Sequence, residues 1–373
     1  MVNRRLQWLV LGVVGLAIAL GLRFPTIALA QSHTASVSEL RGVWLTNIDS
    51  DVLFSKDNLE QAIQRLAQLN FNTIYPTVWN GGYTLYPSTV AEEATGAAID
   101  PTEPGLADRD MVAEAIELGH AKGLAVIPWF EFGLMAPADS ELARRHPDWI
   151  TRRRNGDEIV MQGEFPRVWL NPAHPQVQQF MVDLIVEAVT RYDLDGIQFD
   201  DHFGMPHDLG YDDYTIERYK QEHAGQLPPD NPDDPDWLNW RSDHVTELMI
   251  RLFTAIRTRK PDCTISLSPN PRAFSYERYL QNWSSWERLG FVDELIVQLY
   301  RTDLDQFVSE LNRLDVDVNR RYMPVSVGIL SGLRVLPVET AQIEQQVRTV
   351  RDRQFSGVSF FFYATPQRIE TTP

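Results

Sequence analysis

The chain is poor in cysteine and in basic residues, and both shortages exclude broad classes of protein. Cys263 is the only cysteine among 373 residues, so no disulfide can form within one chain. The 34 lysines and arginines stand against 51 acidic residues, which gives a formal net charge of −17. Nucleic acids and anionic lipid surfaces attract basic proteins, so this balance disfavours both as general partners. We expect Cys263 to be a buried packing residue beside a strand.

The first thirty residues have the pattern of a signal peptide. Two arginines precede the apolar run 8–22, and the Ala-Leu-Ala segment at 28–30 provides the small residues of a cleavage site. A retained membrane anchor is the alternative, but it needs about 20 apolar residues, and Arg23 cuts the run short. We therefore predict a signal peptide at 1–30, a linker at 31–39 and an exported mature protein of the periplasm or cell envelope. We also predict that no stable membrane anchor remains after signal cleavage.

Short apolar segments with β propensity recur along the rest of the chain, and helix-like segments separate them. The predicted strands are 42–47, 72–79, 124–132, 194–202, 264–269, 294–300, 323–329 and 357–363. The predicted helices are 56–69, 111–122, 177–192, 237–260, 303–314 and 338–353. Regular β-then-α alternation implies parallel strands joined by right-handed crossovers. We predict an α/β fold in one domain at 40–373, a (β/α)8 TIM barrel. The alternative is an open doubly wound sheet, which usually has a glycine-rich loop after its first strand, and none occurs here.

Uneven strand spacing predicts two long loops, after the third and the fourth strands. The segments 133–175 and 203–236 are rich in proline, glycine, tryptophan and charge, as surface insertions are. Loops that follow barrel strands meet on the C-terminal face, so both should wall one cleft. The aromatic residues expected to line it as a groove are Trp149, Trp169, Phe203 and Tyr211. Few residues follow the eighth strand, so the eighth helix is predicted to be short or missing.

The candidate catalytic residues are carboxylates at the ends of the third and fourth strands, where barrel enzymes place their catalytic groups. Alternation along the fourth strand places Asp200 at the barrel mouth beside Asp201, and adjacent carboxylates raise at least one pKa. Glu131 ends the third strand among aromatic residues, which also raises the pKa of a carboxyl. Glycoside hydrolysis needs two carboxylates across the scissile bond. We predict Asp200, Asp201 and Glu131 as catalytic. The alternatives are a structural aspartate pair and an ion pair of Glu131 with an arginine of 152–154.

Aromatic and amide side chains at the strand ends favour a sugar site, because rings stack on pyranose faces and amides bond hydroxyls. The predicted substrate-binding residues are Trp44, Asn47, Trp79, Trp129, His202, Asn270, Gln298 and Tyr300. A zinc hydrolase is the rival chemistry, but no His-x-His closes the first strand and no histidine ends the fifth or sixth. No Gly-x-Ser-x-Gly elbow occurs, which disfavours Ser-His-Asp catalysis. We therefore predict no metal and no cofactor.

Five motifs resemble those of one family, and they stand in order at the predicted strand ends or before the third helix. They are 41–44 (Arg-Gly-Val-Trp), 128–130 (Pro-Trp-Phe), 169–172 (Trp-Leu-Asn-Pro), 195–202 (Asp-Gly-Ile-Gln-Phe-Asp-Asp-His) and 297–300 (Val-Gln-Leu-Tyr). Together they resemble the glycosyl-hydrolase-like barrel family that includes the bacterial divisome-localised glycoside hydrolase. The resemblance implies a glycosidase of cell-wall or other envelope glycans, with Asp200 or Asp201 in the active site. Family members usually have an amide at the position of Glu131 and an aromatic residue at that of His202, so a role for Glu131 rests on its surroundings alone.

These features predict an exported glycoside hydrolase that cleaves a bacterial envelope glycan by two-carboxylate chemistry. The expected substrate is a polysaccharide, the glycan strands of peptidoglycan, cut at internal bonds because a groove admits a chain. The alternative from another class is a catalytically weak barrel that binds glycan in the cell envelope. Retention and inversion both stay open, because they differ in the separation of the two carboxyl groups.

Overall fold

Eight parallel strands form the centre of the protein. In chain order they are Leu40–Leu45, Thr73–Pro76, Ala125–Val126, Gly196–Asp200, Thr264–Ser268, Glu294–Gln298, Val325–Leu330 and Gly357–Phe361. The sheet order runs from the third strand through the second and first to the eighth, and then down to the fourth. A parallel bridge between Trp129 and Gln198 joins the two end strands. The sheet therefore closes into a barrel, and the predicted (β/α)8 fold is confirmed.

The computed structural model describes residues 39–314, 316–333 and 336–364. The predicted signal peptide at 1–30 lies outside these residues, as does nearly all of the predicted linker at 31–39. The segment in which an eighth helix would follow the last strand also lies outside them. Within the described ranges, no helix is both long enough and apolar enough to cross a membrane.

Six long helices follow the periodicity of the sequence. They are Lys56–Gln68, Met111–His120, Pro175–Arg191, Pro235–Arg259, Leu304–Arg313 and Thr340–Asp352. Side chains cap several of them, since Ser55, Asp110 and Asp303 each accept a hydrogen bond from a first-turn backbone N–H. Five further helices in the loops were not predicted. They are Thr89–Thr95, Glu141–Arg145, Asp213–Glu222, Arg272–Tyr279 and Trp283–Arg288.

A mostly apolar cluster fills the barrel interior below the mouth. Trp44, Tyr75, Ile127, Trp129 and Ile296, contributed by different strands, pack together there. One polar chain crosses this interior at Gln198, whose amide accepts from Trp44 Nε1 at 2.6 Å and donates to Ser266 Oγ at 2.9 Å. Buried polar groups need hydrogen-bond partners, so the Gln198 amide holds Trp44 and Ser266 in fixed positions directly beneath the strand ends.

The two long insertions pack against each other on the C-terminal side. The first contains a three-stranded antiparallel sheet, Met135–Pro137, Val160–Gln162 and Phe165–Trp169. Asp212 of the second insertion accepts hydrogen bonds from Thr151 Oγ1 at 2.8 Å and from Asn171 Nδ2 at 2.9 Å. The prediction that Trp149, Trp169, Phe203 and Tyr211 line a groove is wrong, because all four are buried. Insertions of this length need apolar cores of their own, and these rings supply them. Cys263 is buried and free, as expected.

Candidate active site

The ends of the third and fourth strands are held together at the barrel mouth by main-chain contacts. Phe130 N donates to the carbonyl of Gln198 at 2.9 Å, and Leu134 N donates to that of His202 at 3.0 Å. Gly133 makes this approach possible with a φ of 49°, because a Cβ there would lie 2.6 Å from the backbone of His202. The loop after Glu131 and the loop after Asp200 are thereby joined, and their carboxyl groups share one site.

Glu131 is 7% exposed and faces neutral partners. Its Oε2 accepts from Asn80 Nδ2 at 2.7 Å and from Thr77 Oγ1 at 3.2 Å. Burial, followed by the charge of Asp200, raises its pKa from 4.5 to about 7, although the two hydrogen bonds and His202 oppose the rise. Near neutral pH a large share of this carboxyl therefore holds its proton.

The alternative of an ion pair between Glu131 and an arginine of 152–154 is wrong. These three arginines lie in salt bridges with other acids: Arg152 with Glu158, Arg153 with Asp157 and Asp208, and Arg154 with Asp230. The guanidinium charge that does act on Glu131 is that of Arg167, in the strand Phe165–Trp169 of the first insertion.

Asp200 lies deepest, with 2% of the residue exposed. Its Oδ2 accepts from Trp129 Nε1 at 3.1 Å, and its Oδ1 accepts from the backbone N–H of His202 at 2.9 Å. Burial raises its pKa to about 6, the His202 ring lowers it, and Asp201 raises it. Its backbone carbonyl accepts from Gln281 Nε2 at 2.6 Å, so both the main chain and the side chain of Asp200 are fixed.

Asp201 is the most accessible carboxylate of the three, with 18% of its side chain exposed. Asn270 Nδ2 donates to its Oδ2 at 2.9 Å, and Gln298 Nε2 donates to its Oδ1 at 3.2 Å. The Gln298 amide is itself held by the carbonyl of Ser268 at 2.8 Å. The two amide donors therefore fix the orientation of this carboxylate.

His202 supplies the positive charge among these acids. Its Nδ1 lies 3.0 Å from the carbonyl of Glu131, 3.5 Å from Asp200 Oδ1 and 4.0 Å from Asp201 Oδ1. Burial alone would lower the pKa of the imidazole, but the two aspartates and Glu131 raise it to about 10. The ring is therefore an imidazolium at neutral pH, and its Nδ1–H donates to the Glu131 carbonyl.

The same residues also form a candidate cation site. One ligand atom each from Asp200, Asp201 and His202 lies within 4.8 Å of the others. The missing histidines at the first, fifth and sixth strands therefore do not exclude a set of three ligands, because consecutive residues at the end of the fourth strand supply one. An imidazolium has no lone pair for a metal, so binding would first require loss of the His202 proton. The absence of a metal stays a prediction.

The predicted substrate-binding residues divide into two groups. Trp129, His202, Asn270 and Gln298 contact the carboxylates directly, and Tyr300 stacks on Phe361 at the mouth with ring centroids 5.0 Å apart. Burial raises the pKa of Tyr300, and the charges of the nearby Asp201, Asp200 and Glu131 raise it further. Asn47 follows the first strand and is partly buried, with an Oδ1 that has no hydrogen-bond partner within the described part of the chain.

Trp44 and Trp79 belong to the core instead. Trp44 is fully buried beneath the mouth, where its indole donates to Gln198. Trp79 lies in a separate hairpin after the second strand, donates to the carbonyl of Gly133 at 3.1 Å and packs against Phe180. Neither ring has the exposed face that stacking on a sugar requires.

Asn80 directly follows the predicted strand 72–79, so the strand-end rule places it at the barrel rim, whereas two other residues of the site were missed. Thr77 follows the observed strand Thr73–Pro76, but it lies inside the predicted strand, where that rule does not select it. Gln281 lies between two short helices after the fifth strand, and no sequence signal marks it. It matters because its amide also donates to the carbonyl of Phe203 at 3.1 Å and so fixes the turn that follows Asp200.

Comparison with known proteins assigns the chain to a family. The family model described as Glycosyl hydrolase-like 10 matches residues 39–350. The chain belongs to this family. The predicted resemblance is confirmed at the level of family membership.

Relatives and solved structures are consistent with the Glycosyl hydrolase-like 10 assignment. Glycosyl hydrolase DigH of Escherichia coli K12 is 24% identical over 317 residues, a match that covers 71% of this chain and 66% of DigH. Glycosyl hydrolase YngK of Bacillus subtilis 168 is 25% identical over 312 residues, which covers 74% of this chain and 56% of YngK. The chain thus spans less than two thirds of either relative. The glycoside hydrolase domain of PgaB from Bordetella bronchiseptica has the same fold, with a TM-score of 0.64 at 13% identity over 90% of this chain and 96% of that one.

Proposed function

We propose that this protein is an exported glycoside hydrolase that cleaves peptidoglycan glycan strands at internal bonds. The observation that carries the proposal is the pairing of two unlike carboxyl groups at the barrel mouth. Glu131 is buried with a pKa of about 7, whereas Asp201 is accessible and held by two amide donors. Carboxyl groups in such different environments can divide the roles of acid and of nucleophile or base.

In the proposed mechanism Glu131 donates its proton to the glycosidic oxygen as that bond breaks. As that bond breaks, Asp201 either attacks the anomeric carbon or removes a proton from the water that attacks it. In the first case a glycosyl-enzyme forms, and water then hydrolyses it with the Glu131 carboxylate as the base. Asp200 is enclosed by Trp129 and His202 and acts through its charge, because it raises the pKa of the Glu131 carboxyl. The His202 imidazolium offsets the negative charge that Asp200 and Asp201 concentrate in one place.

The substrate proposal rests on three supports. The predicted signal peptide at 1–30 would place the enzyme in the compartment that holds cell-wall glycan. The family motifs resemble those of the divisome-localised glycoside hydrolase. Exposed rings on the loops after the third and fifth strands, Phe165 and Phe274, supply faces on which successive pyranoses of a chain can stack. Bulky stem peptides would hinder such stacking, so strands without them should be preferred.

Digestion of purified sacculi, with and without prior amidase treatment, tests this proposal. We expect the enzyme to release oligosaccharides without peptide, mainly from the amidase-treated sacculi, and intermediate lengths should precede short products on chromatography. Turnover of an unrelated polysaccharide with no release from either kind of sacculus would move the substrate elsewhere. Binding of glycan strands without turnover of any glycan would instead support the alternative, a catalytically weak glycan-binding barrel.

A further inference from the structure

A cavity of about 470 Å³ opens at the barrel rim beside the carboxylates, a volume within the usual range of about 300–1,000 Å³ for small-molecule sites. It lies between the loop after the fifth strand and the helix after the sixth, Leu304–Arg313. Its lining residues are Asn270, Pro271, Arg272, Ala273, Phe274, Arg301, Glu310 and Arg313. Three of these eight residues are arginines, and one is acidic.

The cavity adjoins the candidate catalytic residues through two of its walls. Asn270 lines the cavity and also donates through Nδ2 to Asp201 Oδ2 at 2.9 Å. Arg301 follows Tyr300, whose ring stacks on Phe361 at the barrel mouth. A sugar held by Asp201 would therefore have its neighbour, or its own substituent, beside this cavity.

The charge of the cavity is opposite to that of the protein. The whole chain has a net charge of −17, yet three guanidinium groups surround this cavity with Glu310 as the one carboxylate. The Nη1 atom of Arg313 lies 3.7 Å from Oε1 of Glu310, so these two opposite charges form a pair. The guanidinium of Arg301 donates to the carbonyl of Tyr300 at 3.0 Å, and no carboxylate of the described residues forms a salt bridge with it.

The main chain at Arg301 is fixed in place. Its carbonyl accepts hydrogen bonds from Gln346 Nε2 at 2.8 Å and from Gln342 Nε2 at 3.3 Å, both on the helix Thr340–Asp352. A half-buried guanidinium on a fixed backbone is preorganised to bind an anion, because less conformational freedom is lost on binding. Planar carboxylates match the forked donors of arginine best.

We propose that this arginine-lined cavity is a subsite for a carboxylate carried by a sugar next to the cleaved bond, with Arg301 as its principal contact. The inference rests on the proposed function and deepens it. A peptidoglycan strand without stem peptides has a free lactyl carboxylate on every second sugar, whereas a stem peptide converts that carboxylate into an amide. The preference for strands without stem peptides would then have an electrostatic cause, the free carboxylate, in addition to the steric cause. Uronic acids offer the same ligand chemistry at another ring position.

Binding measurements on the full protein test this subsite. The ligands are amidase-treated glycan strands, the same strands after carbodiimide coupling converts their carboxylates into methylamides, and oligouronides. Arg301→Gln removes the proposed contact. Arg348→Gln is the matched control, because Arg348 is exposed and pairs with Glu344 at 3.5 Å on the outer helix Thr340–Asp352. Calorimetry gives the dissociation constants, and released reducing ends give kcat/KM.

We expect wild type to bind the carboxylate strands about tenfold more tightly than the methylamide strands, which corresponds to about 1.4 kcal/mol. Arg301→Gln should reduce that preference to about twofold, and Arg348→Gln should keep it. Equal binding of both strands by wild type together with no binding of oligouronides, or an undiminished preference in Arg301→Gln, would overturn the subsite. Tight binding of oligouronides with no preference among the strands would assign the carboxylate to a uronic acid.

Failure of the subsite can be told apart from failure of the proposed function. Equal hydrolysis and equal binding of the carboxylate and methylamide strands would leave a hydrolase without this subsite. A carboxylate preference in binding that depends on Arg301, with no hydrolysis of any glycan, would leave the subsite in a protein that binds glycan but does not cleave it.

Discussion

The substitution Glu131→Gln tests the burial of the candidate proton donor through protein stability. Burial and Asp200 raise the pKa of the Glu131 carboxyl to about 7 from an ordinary 4.5. Each pKa unit corresponds to about 1.4 kcal/mol, so ionising this group in the folded protein costs up to roughly 3 kcal/mol more than in the unfolded chain. A glutamine has the same shape, keeps an oxygen for Asn80 and Thr77, and never ionises.

The sign of the effect follows from the raised pKa. A carboxyl with a raised folded-state pKa contributes its full stability below about pH 4.5, and that contribution is lost as the pH rises through about 7. Glu131→Gln should therefore match wild type near pH 4 and exceed it by up to roughly 3 kcal/mol at pH 8.

Urea unfolding of wild type and variant between pH 4 and pH 8 measures this difference. Glu117→Gln is the matched control, because Glu117 is exposed on the helix Met111–His120. A wild type that is more stable than Glu131→Gln at pH 8, or a difference that does not vary with pH, would refute the account of Glu131.

Three further outcomes follow from the site. Asp200→Asn should fold normally and lower hydrolysis by about a hundredfold or more. Because the charge of Asp200 raises the pKa of Glu131, the variant should also lose kcat/KM at a lower pH than wild type does on the alkaline side of the pH profile. Full activity, or an unchanged alkaline side of the profile, would argue against this. Chelators should leave activity largely intact, and a loss to EDTA that zinc restores would favour a metal hydrolase. Gly133→Ala should lower both activity and thermal stability, because the new Cβ would meet the His202 backbone. Gly156→Ala is the control and should affect activity little, because Gly156 also has a positive φ but has open space around it. Equal losses of activity in the two variants would remove the special role of Gly133.

The predictable part of the fold came from local pattern. Apolar strand segments and helical periodicity located the eight barrel strands and the six long helices. Strand lengths were harder to predict: the third strand covers only Ala125–Val126, and beyond it Pro128 has no N–H to donate to a ladder. The aromatic rings of the insertions were misplaced because one sequence cannot distinguish a ring that covers a cleft from one that fills the core of a long loop.

The candidate site, like the fold, was predictable only where local sequence pattern determines it. The strand-end rule selected the three carboxyl positions and four side chains that contact them. Their remaining environment depends on contacts between distant segments: Asn80 bonds Glu131 across 51 residues, and Gln281 bonds the Asp200 carbonyl across 81. Pairs of that kind depend on the closed barrel, because closure brings the ends of separate strands to one rim.

The central claim is that the carboxyl groups of the barrel mouth cleave glycosidic bonds. Release of reducing ends from amidase-treated glycan strands by wild type, Glu131→Gln and Glu117→Gln tests it most directly. Glu131→Gln should lose a factor of about 10² to 10⁴ in kcat/KM, because proton donation by a positioned side chain contributes that much. The kcat/KM of Glu117→Gln should equal that of wild type. A Glu131→Gln variant that releases reducing ends as fast as wild type would contradict the account.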